Sequence, residues 1–150
     1  MKRSLLVLCL GLCACGGSGG GDGDSPQGGT FAGTWVANFT PTKNDCNLQL
    51  PPNFGNNVIF LINQDGQNIA IQNIATGGAL TGAANPDNTA LIAGATVAVN
   101  CTDGTVGQER VTVSMEEVRD GSGLFYFEDV FNCSGSICTV VAAGNAQRDE

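Results

Sequence analysis

From Gly33 onward the chain alternates short apolar and polar runs and punctuates them with turn residues. No window carries an amphipathic repeat of 3.6, whereas alternation at period two recurs throughout, which predicts strands rather than helices. Eight segments fit: about 33–40, 57–64, 67–75, 78–84, 88–100, 106–118, 122–132 and 137–147. Asp65-Gly66, Asn85-Pro86-Asp87-Asn88, Asp103-Gly104 and Asp120-Gly121 lie between them. Asp-Gly supplies the positive φ that tight hairpins need, so successive strands should pair antiparallel. Eight strands in a meander leave two exposed edges unless the sheet closes, so the expected fold is all-β, a single eight-stranded antiparallel barrel. A β-sandwich is the alternative.

Segment 41–56 interrupts the rhythm with Pro41, Pro51, Pro52 and several Asn. Two readings apply: a lid over a barrel mouth, and a disulfide-held surface loop, of which the loop is preferred. Strand six places Val111, Val113 and Met115 on one face and Arg110, Thr112, Ser114 and Glu116 on the other. Strand seven is apolar on both faces. Phe125, Phe127, Asp129 and Phe131 share one face, and Leu124, Tyr126, Glu128 and Val130 share the other. The phenylalanine face is expected to point inward, making these four the candidate ligand-binding residues. Asp129 would then need a partner or a raised pKa, the alternative being a rim acid still in water. Glu116, Glu117, Glu128 and Asp129 lie on neighbouring strands and invite comparison with a glycosidase pair or a calcium site, although a solvated acidic edge is the commoner outcome. The small residues Ala90, Ala93, Gly94, Ala95 and Ala98 mean either tight packing or room for a guest.

Ahead of the strands, Lys2 and Arg3 precede a short apolar run, Leu5 to Leu12, that ends in Leu12-Cys13-Ala14-Cys15. Even the whole stretch 4–15 is only twelve residues, too short to span a bilayer, which takes roughly twenty. This segment resembles the export signal and lipobox of bacterial lipoproteins. The resemblance implies cleavage after residue 14, acylation with palmitate-type chains at Cys15, and a lipid-anchored place in the cell envelope. Gly16 in place of Asp after that cysteine leans toward the outer membrane in a Gram-negative host. Residues 15–30, rich in Gly, read as the acylated cysteine and a flexible tether, and 31–150 as one domain. Removing the signal leaves Cys46, Cys101, Cys133 and Cys138, an even set suited to disulfides in an oxidising compartment. Cys133 and Cys138 flank a turn-like Ser134-Gly135-Ser136-Ile137 insert, so they are expected to pair with each other, and Cys46 with Cys101.

Gly33-Thr34-Trp35 opens the first strand and resembles the G-x-W of lipocalins and related calycin barrels. That resemblance implies a tryptophan closing the barrel base and Arg148, after the last strand, packing against it.

Charge and composition narrow the function. After the signal, four bases (Lys43, Arg110, Arg119 and Arg148) face fourteen acids, a side-chain balance of −10. Such a surface is repelled by nucleic acid and anionic lipid headgroups, so membrane attachment falls to the acyl anchor. There is no histidine, which removes His-based nucleophile activation and imidazole metal sites. No C-x-x-C pair suggests zinc, and no cofactor or metal is expected. The leading expectation is a non-enzymatic module binding a small apolar or amphipathic ligand. A structural lipoprotein that binds another envelope protein comes next, and an enzyme built on the carboxylates last.

Overall fold

The computed structural model describes residues 30–73 and 75–149, with the side chain of Glu117 set aside. The export signal, Cys15 and the tether up to residue 29 lie outside the described residues. The strands are β1 (Gly33–Asn44), β2 (Val58–Asp65), β3 (Asn68–Asn73), β4 (Ala79–Ala84), β5 (Leu91–Asn100), β6 (Val106–Arg119), β7 (Ser122–Cys133) and β8 (Ser136–Arg148). Each pairs antiparallel with the next, and β8 pairs back onto β1, closing the sheet into a barrel. No helix among the described residues is long and apolar enough to cross a membrane.

Turn chemistry explains the connections. Asp120-Gly121 and Ser134-Gly135 each place two residues at positive φ between strands paired Arg119 to Ser122 and Cys133 to Ser136. This is the two-residue turn whose twist matches that of the flanking strands. Between β4 and β5, the Asn85 side chain accepts the backbone N–H groups of Thr89 and Ala90 at 2.8 and 3.0 Å. β1 runs farther than its pattern suggested, through Pro41 to Asn44, with a register shift between Pro41 and Lys43 against β8. Pro41 is tolerated because β1 pairs with β2 only over Gly33–Ala37, so no ladder needs its missing N–H.

The wall is uneven. β1, β6, β7 and β8 have 12, 14, 12 and 13 residues, whereas β3 and β4 have six each. One end, the base, holds the start of β1 and the β2–β3, β4–β5 and β6–β7 turns, and is plugged. Trp35 is 1% exposed and its Nε1 donates to the Phe31 carbonyl at 2.7 Å. The backbone N–H of Phe31 donates to Gln64 Oε1 at 2.7 Å. Arg148 stands opposite Trp35 in the β1–β8 register and donates to the Thr30 carbonyl at 3.1 Å. Trp35 and Arg148 thus both lie at the base, with the segment before β1 drawn across it.

Both disulfides lie at the other end, and their pairing corrects the expectation. Cys46 bonds Cys138, with Cα atoms 4.9 Å apart, and Cys101 bonds Cys133, with Cα atoms 5.8 Å apart. The turn between β7 and β8 is only Ser134-Gly135. Cys133 therefore opposes Ser136, and Cys138 opposes Phe131. The two cysteines are diagonal neighbours, roughly 7–8 Å apart in such a ladder, beyond ordinary disulfide reach. Each instead finds a cysteine arriving from another part of the barrel. The Cys101–Cys133 bridge crosses β6 at Gly107, where a Cβ would lie 2.6 Å from Cys101 Sγ and 2.9 Å from Cys133 Sγ. The eight strands of the closed barrel, its core cluster and both bridges lie within residues 31–148, so each strand there has a partner on both sides.

Candidate functional site

The interior changes character along the barrel axis. In the base half, Trp35, Ile62, Ile69, Leu91, Ala93, Met115 and Ala146 fill the space. Of the small residues on β5, Ala93 is buried here, Gly94 and Ala95 are half-buried and Ala98 is exposed, and a Cβ on Gly82 of β4 would run into the Ile92 carbonyl of β5. They do not line a guest site.

In the other half the barrel holds a cavity of about 370 Å³, at the small end of the usual range for ligand pockets, roughly 300–1,000 Å³. Its wall is mostly apolar: Phe39, Phe54, Val58, Phe60, Ile71, Leu80, Val111, Val113 and Phe127. Stacked rings form one side. Phe39 lies 5.1 Å from Phe125 and 5.9 Å from Phe127, and Phe60 lies 5.4 Å from Phe125, centroid to centroid. Phe54 comes from the loop after β1 and meets Phe39 edge-on at 5.6 Å. The Phe39 N–H donates to the Gly55 carbonyl at 2.9 Å, and Gly55 has φ +77° with no room for a Cβ beside Phe39. The loop is thus stitched to β1 and covers part of the mouth. It is anchored through Cys46 to β8, whereas the expected anchor was Cys101. This is the geometry of the lid alternative rather than of a loop lying only on the surface.

Two carboxylates interrupt the apolar wall. Asp129 on β7 opposes Val111 on β6, and Glu109 on β6 opposes Phe131 on β7, so the acids are diagonal neighbours on the inward face. Both line the cavity. Asp129 Oδ1 is buried without a hydrogen-bond partner. Burial first, then the Glu109 charge, then a hydrogen bond to Glu109 push the Asp129 carboxyl up to about 7. Asp129 therefore keeps its proton through mildly acidic pH and gives it up around pH 7.

The inward face expected for β7 is the one observed. Phe127 and Asp129 line the cavity. Phe125 lies beneath it, 1% exposed, and Phe131 stands half-buried at the rim outside the lining. Tyr126 and Glu128 face outward, with Glu128 Oε2 3.8 Å from Arg110 Nη2. Glu116, Glu128 and Asp129 are not brought together as a glycosidase pair or calcium site would need. Glu128 faces out while Asp129 faces in, and Glu116 opposes Leu124 nearer the base; the side chain of Glu117 is not described. No cluster of three or more potential metal ligands exists among the described residues. Glu109, Phe39 and Phe54 were missed from the sequence. For Glu109 a signal was present, because it lies two residues before Val111 on the same alternation.

In comparisons with known proteins, no family model matches this chain, and no curated protein or solved structure is significantly similar to it.

Proposed function

We propose that the chain is an exported, lipid-anchored protein of the bacterial envelope whose barrel binds a small apolar or amphipathic ligand without transforming it. The observation that carries this reading is the asymmetry of the interior: one half is filled with side chains, and the other is a largely apolar cavity with two carboxylates in its wall. Thr30, the first described residue, lies at the plugged base, where Arg148 binds it. An anchor at Cys15 would therefore attach the barrel from its base end, through a flexible tether of at most roughly 50 Å that leaves the mouth open to the aqueous side. Acylation and the outer-membrane location rest on the Leu12-Cys13-Ala14-Cys15 motif and Gly16. Nucleic acid is no partner in this reading, given the acidic balance of the chain.

Native mass spectrometry of residues 30–150 with both disulfides formed tests the binding reading. An adduct of discrete mass that survives purification, or returns on adding an amphiphile, is expected; a protein that neither carries nor takes up such a molecule overturns it. Labelled palmitate tests the anchor: incorporation into the wild type and none into Cys15→Ser is the expected result. One observation favours envelope-protein docking as the second reading. A hollow of about 390 Å³ on the outer wall is lined by Thr96, Gln108, Arg110, Val130, Asn132 and Ile137, and Ile137 is 68% exposed. Crosslinking in intact cells from position 137 would recover a specific neighbour if that reading holds.

A further inference from the structure

We propose that the cavity selects a cationic amphiphile: an apolar tail seated against Phe39, Phe60 and Phe127, with a protonated amine at the Glu109–Asp129 pair. This rests on the cavity being a ligand site and adds the chemical class of the ligand. The first support is an unmet demand. The Asp129 carboxyl meets Glu109, but its Oδ1 is buried with no hydrogen-bond partner, and Val111, Val113 and Phe127 in the wall nearby offer no donor. A buried acceptor left unpaired is costly, and an ammonium group brings donors together with the opposite charge.

The second support is that no base of the barrel meets this demand. Lys43 Nζ is 2.8 Å from Asp45 at the rim, and Arg110 faces outward toward Glu128. Arg119 lies by the β6–β7 turn at the base, and Arg148 is bound to Thr30 there. The counter-charge for two inward carboxylates must therefore come from outside the described residues. A fatty-acid anion would be repelled by the same pair. A neutral alcohol would gain the apolar contacts but not the charge.

The elements packed around Asp129 contribute one titratable group, Glu109 from β6. Across β8 its register partner is Val140, and β1 and the loop after it present Phe39 and Phe54. Asp129 holds its proton up to about pH 7. Loss of that proton adds a second negative charge, so amine binding should tighten as pH rises from 6 to 8, while alcohol binding stays level or weakens.

Isothermal titration calorimetry of residues 30–150 with decylamine, decanol and decanoate, each below its micelle concentration and at low salt, tests this. At pH 8 the amine is expected to bind about tenfold more tightly than the alcohol, with decanoate weakest. Asp129→Asn should reduce the amine's advantage over decanol to about threefold or less. If Asp129→Asn does not fold, as judged by Trp35 fluorescence, Glu109→Gln carries the same expectation. Equal binding of decylamine and decanol by the wild type overturns the amine selectivity and leaves the cavity reading standing. Binding of none of the three overturns both.

Discussion

Replacing Asp129 by Asn should stabilise the protein at alkaline pH and leave it nearly unchanged near pH 3. Raising a carboxyl from its ordinary 3.8 to about 7 corresponds to roughly 4 kcal/mol, at about 1.36 kcal/mol per tenfold change in proton affinity. Asp129 is only half-buried, and solvent screening reduces the effect to about 1–2 kcal/mol. The native state keeps the Asp129 proton after the unfolded chain has lost it. Between about pH 4 and 7 the folded state thus binds more protons, and stability falls as pH rises. Above about 7 the full cost is present. Asn cannot titrate, so the difference between variant and wild type should be near zero at pH 3, below the ordinary carboxyl value, and about 1–2 kcal/mol at pH 8. Asp45 and Asp103 are the same in both proteins and cancel in the difference. Hydrogen bonds hold both below the ordinary carboxylate range, so the stability they contribute is lost only as pH falls below about 4. Urea denaturation with disulfides intact, followed by the fluorescence of Trp35, the chain's single tryptophan, gives the measurement. The midpoint of the variant at pH 8 should exceed wild type by on the order of 1 M. Parallel pH profiles for the two proteins, or a variant less stable at pH 8, would refute the account of Asp129 as an acid burdened by burial and Glu109.

Three further outcomes follow from packing and cross-links. Peptide mapping should recover Cys46–Cys138 and Cys101–Cys133; replacing the first pair by Ser should cost about 4–5 kcal/mol in the chain-entropy account, because it spans 92 residues, and the second about 3–4, because it spans 32. Gly107→Ala should leave two free thiols by thiol titration while Cys46–Cys138 still forms, since the added methyl occupies the path of the Cys101–Cys133 bridge. Phe125→Ala should cost about 3–5 kcal/mol in urea denaturation, as expected for a buried ring stacked on two others, whereas Phe131→Ala at the rim should cost clearly less.

The strands were legible because their signals are local. Period-two alternation and the Asp-Gly turns act within a few residues, and the run of phenylalanines on β7 identifies its inward face because that face has the larger apolar area to bury. The disulfide partners were not legible. Cys101 and Cys133 become neighbours only when β5, β6 and β7 take their final register, and Cys46 meets Cys138 only when β8 returns to β1. Sequence proximity favoured Cys133 with Cys138, and the two-residue turn places them diagonally. Phe54 was hidden for a different reason: a loop has no periodicity, so nothing short of the Gly55–Phe39 hydrogen bond shows which side chain turns inward. Glu109 needed only the β6 alternation carried one step farther.

The half of the barrel that departs from ordinary core rules is the half that matters. A sequence that served only stability would continue the apolar layers of Trp35, Ile62 and Met115 upward and place no carboxylate inside. Here β6 and β7 each spend an inward position on an acid, and the Asp129 proton balance shows that the choice costs stability at neutral pH. Strand lengths follow the same division. The short β3 and β4 leave one side of the mouth low, while the two bridges hold the ends of the long β1, β5, β7 and β8. Those bridges act where the cavity removes the side-chain packing that would otherwise keep the wall in place. Reduction should therefore loosen the mouth before the base. Amide hydrogen exchange with and without reductant would show this as lost protection in β5 beyond Ala95 and in β8 before Val140, with the amides around Trp35 and Ile62 unchanged. Uniform loss of protection from base to mouth would mean that the bridges stabilise the whole barrel and not the cavity in particular.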